Sequence, residues 1–412
     1  MSGAGPAVFG VPVVFLLFVA TLAGVLIAHG RAWAVAVLGL AVIAVVRVGF
    51  SSFDAAAHVA AEWPKLANLF GLLVGFAVLA DHFDASQVSV RIGRVLPRGA
   101  AGCFTLLLFV TLLSGVLDNI AAAMIGATLA SRVFAGKVHV GYLVAIVAAA
   151  NAGGAGSVIG DTTTTMMWLD GISPLRVVHG YVGAGAALLV FGTAASIQQR
   201  SHAPLAAPDA SDAQIDGGRL AIVAGALAAL VATNVLTTSI LGARADRFPF
   251  MALVLWVVLG AGTLLRPIHW KLIGDAARGS VLLLALVSAA SLMPVDRLPA
   301  PSWRTTLGLG VVSSVFDNIP LTKLALTQGG YDWGLLAFAV GFGGSMLWFG
   351  SSAGVAVASR FPEARSAIAW LRHGWHVALA YVVGFFVMLA VVHFHPGPPA
   401  RGTGTVVVAP VR

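Results

Sequence analysis

Apolar residues fall in long unbroken runs along this chain, not in the alternation of a half-buried strand or the single stripe of a surface helix. The runs cover about 7–28, 33–49, 66–81, 139–170, 177–197, 219–241, 248–265, 279–294, 334–358 and 374–394. Roughly 20 apolar residues let a helix cross a bilayer's ~30 Å of hydrocarbon, so the pattern predicts an all-α polytopic membrane protein. No basic residue precedes the first run, because Arg31 is the first in the chain. A secretory signal needs a basic leading region, so the run reads as a retained helix. The tail, 396–412, is rich in Pro and Gly and predicts disorder.

Two further apolar stretches, 100–131 and 303–328, are interrupted by Asp118-Asn119 and Asp317-Asn318. The arms of the first, about 104–117 and 120–131, would each be roughly 20 Å long as helices, too short to span. They predict a re-entrant hairpin with a polar tip near the midplane. The alternative is one spanning helix with a polar pair inside it.

The chain also repeats itself. Val116-Leu117-Asp118-Asn119-Ile120 returns as Val315-Phe316-Asp317-Asn318-Ile319. The Gly-rich stretch Asn151 to Thr162 returns as Gly341 to Ser352, with Gly153, Gly154 and Gly160 matched by Gly343, Gly344 and Gly350. His179-Gly180-Tyr181 is echoed by His373-Gly374-Trp375. Glycine-interrupted apolar segments at matching places in two halves point to a transporter's binding site. The organisation that follows is N-terminal scaffold helices in 1–65, a first repeat in 66–197 (hairpin 100–131, broken helix 139–170), a cytoplasmic linker in 198–218, and a second repeat in 219–395 (hairpin 303–328, broken helix 334–358). With the N-terminus outside, the loops richer in Lys and Arg lie inside, and the repeats are inverted.

Composition narrows the class. Only 10% of the 412 residues are charged and 59% are apolar, with a mean hydropathy of +0.94. Soluble domains carry about 25% charged residues, so an ordinary cytosolic enzyme is excluded. One cysteine, Cys103, excludes a disulfide scaffold. The net charge of +8 reflects few acids (16) more than many bases (24). It fits basic cytoplasmic loops, not a nucleic-acid partner.

Most of the acids lie in loops or at span ends; Asp118, Asp161 and Asp317 fall at membrane depth. A carboxylate there is costly and reads as functional, although each Asp also suits a helix N-cap. Gly, Ser, Thr, Asn and Asp dominate 151–165, where helix propensity collapses. Unwound backbone at such depth belongs beside a cavity, where it offers carbonyls to a cation and helix N-termini to an anion. The backbone of Asn151, Gly153, Gly154, Gly160, Gly343, Gly344, Gly350 and Ser351 is expected to line that cavity. Thr162 and Thr163 offer hydroxyls, unless they cap or pack. Lys323, the one base at depth, either pairs with Asp317 or Asp161 or snorkels to the interface. His179 and His373 read as interfacial. The histidines show no metal spacing, and no P-loop, nucleophile elbow or dinucleotide fingerprint occurs. No cofactor and no enzymatic activity are expected.

Paired hairpins, each followed by a Gly-rich broken helix, resemble the ion transporter superfamily that holds the divalent-anion/sodium symporters and arsenite permeases. Within it, the run Asn151 to Trp168 (NAGGAGSVIGDTTTTMMW) and Gly75 to Gln87 (GFAVLADHFDASQ) look most like the NhaD-type sodium/proton antiporters. The resemblance implies a homodimer in the inner membrane and a site between hairpin tips and broken helices. It departs from the symporters in carrying Asp118 and Asp317 where they carry Ser at the hairpin tips. In the second break Ser351 stands where Asp161 stands in the first. On this reading the protein exchanges Na⁺ or Li⁺ for H⁺, with Asp118 and Asp161 forming a first cation and proton site to which Asn119, Thr162 and Thr163 contribute, and Asp317 with Asn318 forming the second. The alternatives are a carrier of carboxylate or arsenite anions, sodium-coupled or not, and a non-transport membrane subunit or intramembrane enzyme.

Overall fold

The computed structural model describes residues 6–9, 11–27, 31–158, 160–205, 214–241, 247–293, 299–316 and 318–397. Asp317, residues 206–213 of the 198–218 linker and the tail from residue 398 lie outside the described residues.

The first apolar run opens as a two-stranded antiparallel ladder, β1 (Ala7–Val8) and β2 (Val11–Pro12), before α1 (Val13–Ile27). Then come α2 (Ala32–Phe50), α3 (Ala55–Ala85) and α4 (Val88–Val95). α3 starts well before its apolar run, because Asp54 caps it by accepting from the Ala57 N–H at 2.9 Å. Gln87, at φ +61°, breaks the chain between α3 and α4. The first Asp-Asn region forms α5 (Ala100–Ser114) and α6 (Asn119–Val133), followed by α7 (Val140–Gly154), α8 (Thr162–Leu169), α9 (Pro174–Val177) and α10 (Gly180–His202). The second half holds α11 (Gly217–Leu241), α12 (Phe250–Gly262), α13 (Trp270–Ser291), α14 (Trp303–Ser313), α15 (Asn318–Gln328), α16 (Trp333–Gly343), a 3-10 turn at Gly344–Met346, α17 (Ser352–Arg360), α18 (Ala367–His373) and α19 (Trp375–Val392).

Length and burial sort these helices into two kinds. Among the described residues, six helical stretches are long and apolar enough to cross a membrane: 32–50, 55–85, 174–202, 217–241, 270–291 and 375–392. They expose large apolar side chains such as Val45, Leu236 and Ile240. A water-facing surface would avoid this; a lipid-facing one requires it. The Asp-Asn regions and the breaks form shorter helices, at most 15 residues. That is about 22 Å, less than the hydrocarbon thickness. They occupy the centre: α7 is buried from Gly141 to Gly154 and α16 along its whole length.

α5 and α6 are joined by a short turn, residues 115–118. The turn lies earlier than the Asp-Asn pair predicts, because Asp118 caps α6 and draws Asn119 into its first turn. α5 then packs on α7, as α14 packs on α16. Both packings use the same contacts. The Ser114 hydroxyl donates to the Ala150 carbonyl at 2.6 Å, and the Ser313 hydroxyl to the Val340 carbonyl at 2.7 Å. Gly153 lies against the Thr111 carbonyl, and Gly343 against that of Gly310. The spacing between these matched contacts is that of the sequence repeat.

A methyl group at Gly153 or Gly343 would collide with a backbone oxygen, which cannot move without moving its helix. Gly153→Ala and Gly343→Ala should each cost about 1–3 kcal/mol through overpacking and lower the thermal midpoint in detergent. Gly185→Ala, where the new Cβ meets open space, should not. Equal midpoints for all three variants would refute this packing.

Candidate functional site

The break between α7 and α8 is closed by its glycines. The face of Gly154 lies against the Gly160 backbone and the Asp161 Cβ, so the loop folds back onto the end of α7. Gly160 in turn seats on the Ser114 carbonyl. In the second half, Gly344 faces the Gly350 carbonyl and the Ser351 Cβ, and Gly350 seats on the Ser314 carbonyl. Any side chain at these positions would hold the loops open.

Asp161 occupies the N-cap position of α8 with extended backbone, φ −143° and ψ 141°. Its side chain makes no capping bond to α8 and is only 3% exposed. The carboxylate instead accepts from the Thr163 hydroxyl through Oδ2, while Asn119 Nδ2 stands 3.5 Å from Oδ1. Asn119 Nδ2 also donates to Asn151 Oδ1 at 3.0 Å. Asn151 Nδ2 then donates to Ser345 Oγ at 2.9 Å and to Ser351 Oγ at 3.1 Å. All of these side chains are buried. One polar chain thus runs from the start of α6 across both breaks.

The two halves meet reciprocally. Asn151 of the first break touches Ser351 of the second, and Asp161 of the first lies against Gly341 of the second. In the repeat Asn151 corresponds to Gly341 and Asp161 to Ser351. Each contact is therefore the counterpart of the other. Whole helices follow the same rule, with α17 packed on α6 and α15 on α8.

The other predicted residues divide. Asp118 is half-buried and caps α6, accepting from the Ile120 N–H at 2.8 Å; it also lies within electrostatic reach of Asp161. Asp118 thus caps its helix by a side-chain bond, as Ser351 does by accepting from the Gly354 N–H at 3.2 Å, whereas Asp161 makes no such bond. The carbonyls released by the first break are engaged more than expected. Thr164 Oγ1 donates to the Asp161 carbonyl at 2.8 Å and also to that of Ser157, and Thr165 Oγ1 donates to that of Val158 at 2.8 Å. Asn318 is buried at the start of α15. Lys323 lies on the same helix with an exposed side chain. Thr162 opens α8. Asp317 is outside the described residues. Hydropathy reasoning missed the side-chain role of Asn151, and missed Ser345 and Gly341. The available signal was Asn151 itself, an amide ending an otherwise apolar helix.

No family model matches the chain. Sodium/proton antiporter 2 of Arabidopsis thaliana is 32% identical over 287 residues, covering 59% of this chain and 66% of that protein. Sodium/proton antiporter 1 of the same plant is 28% identical over 349 residues, covering 73% of this chain and 57% of that protein. The chain thus spans 66% and 57% of the lengths of these curated relatives. Together with the apolar helices, the similarity identifies an all-α, multi-pass membrane protein.

Truncating Asn151 to Ala removes the acceptor of Asn119 and the donor to Ser345 and Ser351. Buried polar groups left unpaired cost roughly 1–3 kcal/mol each. Asn151→Ala should therefore unfold well below wild type in detergent-solubilised thermal melts. A melt within a degree of wild type would show that the bridge carries no energy.

Proposed function

We propose that this protein is a secondary active transporter of the NhaD type, exchanging Na⁺ or Li⁺ for H⁺ across the cytoplasmic membrane. The observation that carries the reading is Asp161: a buried carboxylate in a helix break that makes no capping bond to its own helix and meets the Thr163 hydroxyl and the Asn119 amide. The names of the two Arabidopsis relatives support it.

The physical logic is competition. An ionised carboxylate out of water is costly unless its charge is matched. Neutral donors match it only in part. A proton removes the charge, and a small hard cation compensates it, but one carboxylate does not hold both. Oxygen ligands suit such a cation. Asp161 would supply the charge. Thr163 would turn its hydroxyl lone pair inward when the cation arrives, since its O–H rotates freely. Asn119 would orient the carboxylate, and Asp118 at the start of α6 would be the second acid. In the other half, Asp317 and Asn318 would form the related site, with Lys323 adjusting the charge carried per cycle. Each short helix pair would be a re-entrant hairpin in one of two inverted repeats. Rocking at the crossed breaks would expose the site alternately to the two sides. The assembly would be a homodimer, as the family resemblance implies.

Proteoliposomes carrying an internal pH dye test this. Wild type should move protons when Na⁺ or Li⁺ is added and stay silent with K⁺. Asp161→Asn should abolish the signal. Asp118→Asn should reduce it at least tenfold, and Thr163→Val should raise the half-saturating Na⁺. Silence of wild type to Na⁺ and Li⁺, with accumulation of a labelled dicarboxylate, would replace the antiporter with the anion carrier.

A further inference from the structure

The crossed contacts of the two breaks are equivalent by repeat but not by chemistry. At one crossing Asn151 meets Ser351, and the two side chains close the space with a 3.1 Å hydrogen bond. At the other, Asp161 meets Gly341, which has no side chain at all. A Cβ built on Gly341 would lie 3.2 Å from Asp161 Oδ2, and no other described atom outside the helix's own backbone and chain neighbours comes within 4 Å of it. This sets Gly341 apart from its neighbours Gly343 and Gly344, whose missing Cβ atoms are hemmed in by backbone of other segments. Gly341 is not there to let two helices touch. Its missing side chain leaves room beside the carboxylate, where the equivalent crossing is filled by an amide.

We infer that Gly341 is the specificity-determining position of the site: the room it leaves is where a dehydrated monovalent cation sits against Asp161, and its size decides which cation fits. This rests on the antiporter reading and names its selectivity element. A methyl group there would stand against Oδ2 and narrow the space. An Asn would rebuild the filled crossing of the other half and put a neutral amide where the cation binds. Neither change should threaten the fold. Replacing a Gly inside a helix removes a conformational-entropy cost, and the 3.2 Å approach asks the Asp161 side chain to give by only a few tenths of an ångström.

The test uses full-length wild type, Gly341→Ala and Gly341→Asn in the pH-dye proteoliposome assay, with Na⁺ and Li⁺ titrated separately. As a second readout, thermal melts in detergent are taken in NaCl, LiCl and choline chloride. Gly341→Ala should raise the half-saturating Na⁺ at least about fivefold, the scale of modest overpacking, with a smaller rise for the smaller Li⁺. Gly341→Asn should lose both fluxes and any Na⁺- or Li⁺-dependent rise in melting temperature, while its melt in choline chloride matches or exceeds that of wild type. An active wild type with an unchanged Na⁺ to Li⁺ ratio in Gly341→Ala, or with full Na⁺ flux in Gly341→Asn, would overturn the inference and leave the antiporter standing. A wild type with no cation-driven proton movement would instead remove the reading beneath it.

Discussion

A helix broken in an apolar interior must find partners for the backbone groups it releases, because there is no water to take them. This chain breaks two of its most buried helices, α7 and α16, and much of the centre of the molecule follows from that. Glycines let each loop fold tightly against its own helix end and against the neighbouring short helix. Threonine hydroxyls at 164 and 165 take carbonyls of the first break, and Ser351 caps the helix that resumes after the second.

Against that background the carboxylate of Asp161 stands out. A capping role would have satisfied it locally, as it does for Asp118, Ser351, Asp54 and Asp332. Instead it is turned toward Thr163, Asn119 and the backbone of α16. Two of its partners, Thr163 and Asn119, are neutral side chains.

The crossed pairing also explains why the repeat is uneven in residue type. Two identical breaks would make the two crossings chemically alike. Here one crossing is closed by Asn151 and Ser351, which fastens the halves together. The other pairs an acid with a glycine.

Hydropathy marked all six helical stretches long enough to span, because lipid imposes a length and an apolar face on every helix that meets it, and these constraints are local in sequence; it also marked 7–28 and 248–265, where the described helices α1 and α12 have only 15 and 13 residues. Small sequence details marked the breaks and the Asp-Asn pairs for a similar reason: glycine runs and acids inside apolar segments are anomalies visible without neighbours. Helix ends were less legible, since Asp54 and Asp118 moved them by capping. What remained hidden was which side chain meets which. The bridge from Asn151 to Ser345 joins residues 194 positions apart, and that to Ser351 joins residues 200 apart; no periodicity encodes contacts of that range. Gly341 reads in sequence as one more small residue in a Gly-rich run. The sequence alone marked long apolar helices, matching landmarks in its two halves, and acids inside apolar stretches. Only the tertiary structure decided that Asp161 leaves its own helix uncapped by its side chain and faces a residue without a side chain, because that depends on how the two breaks cross in space.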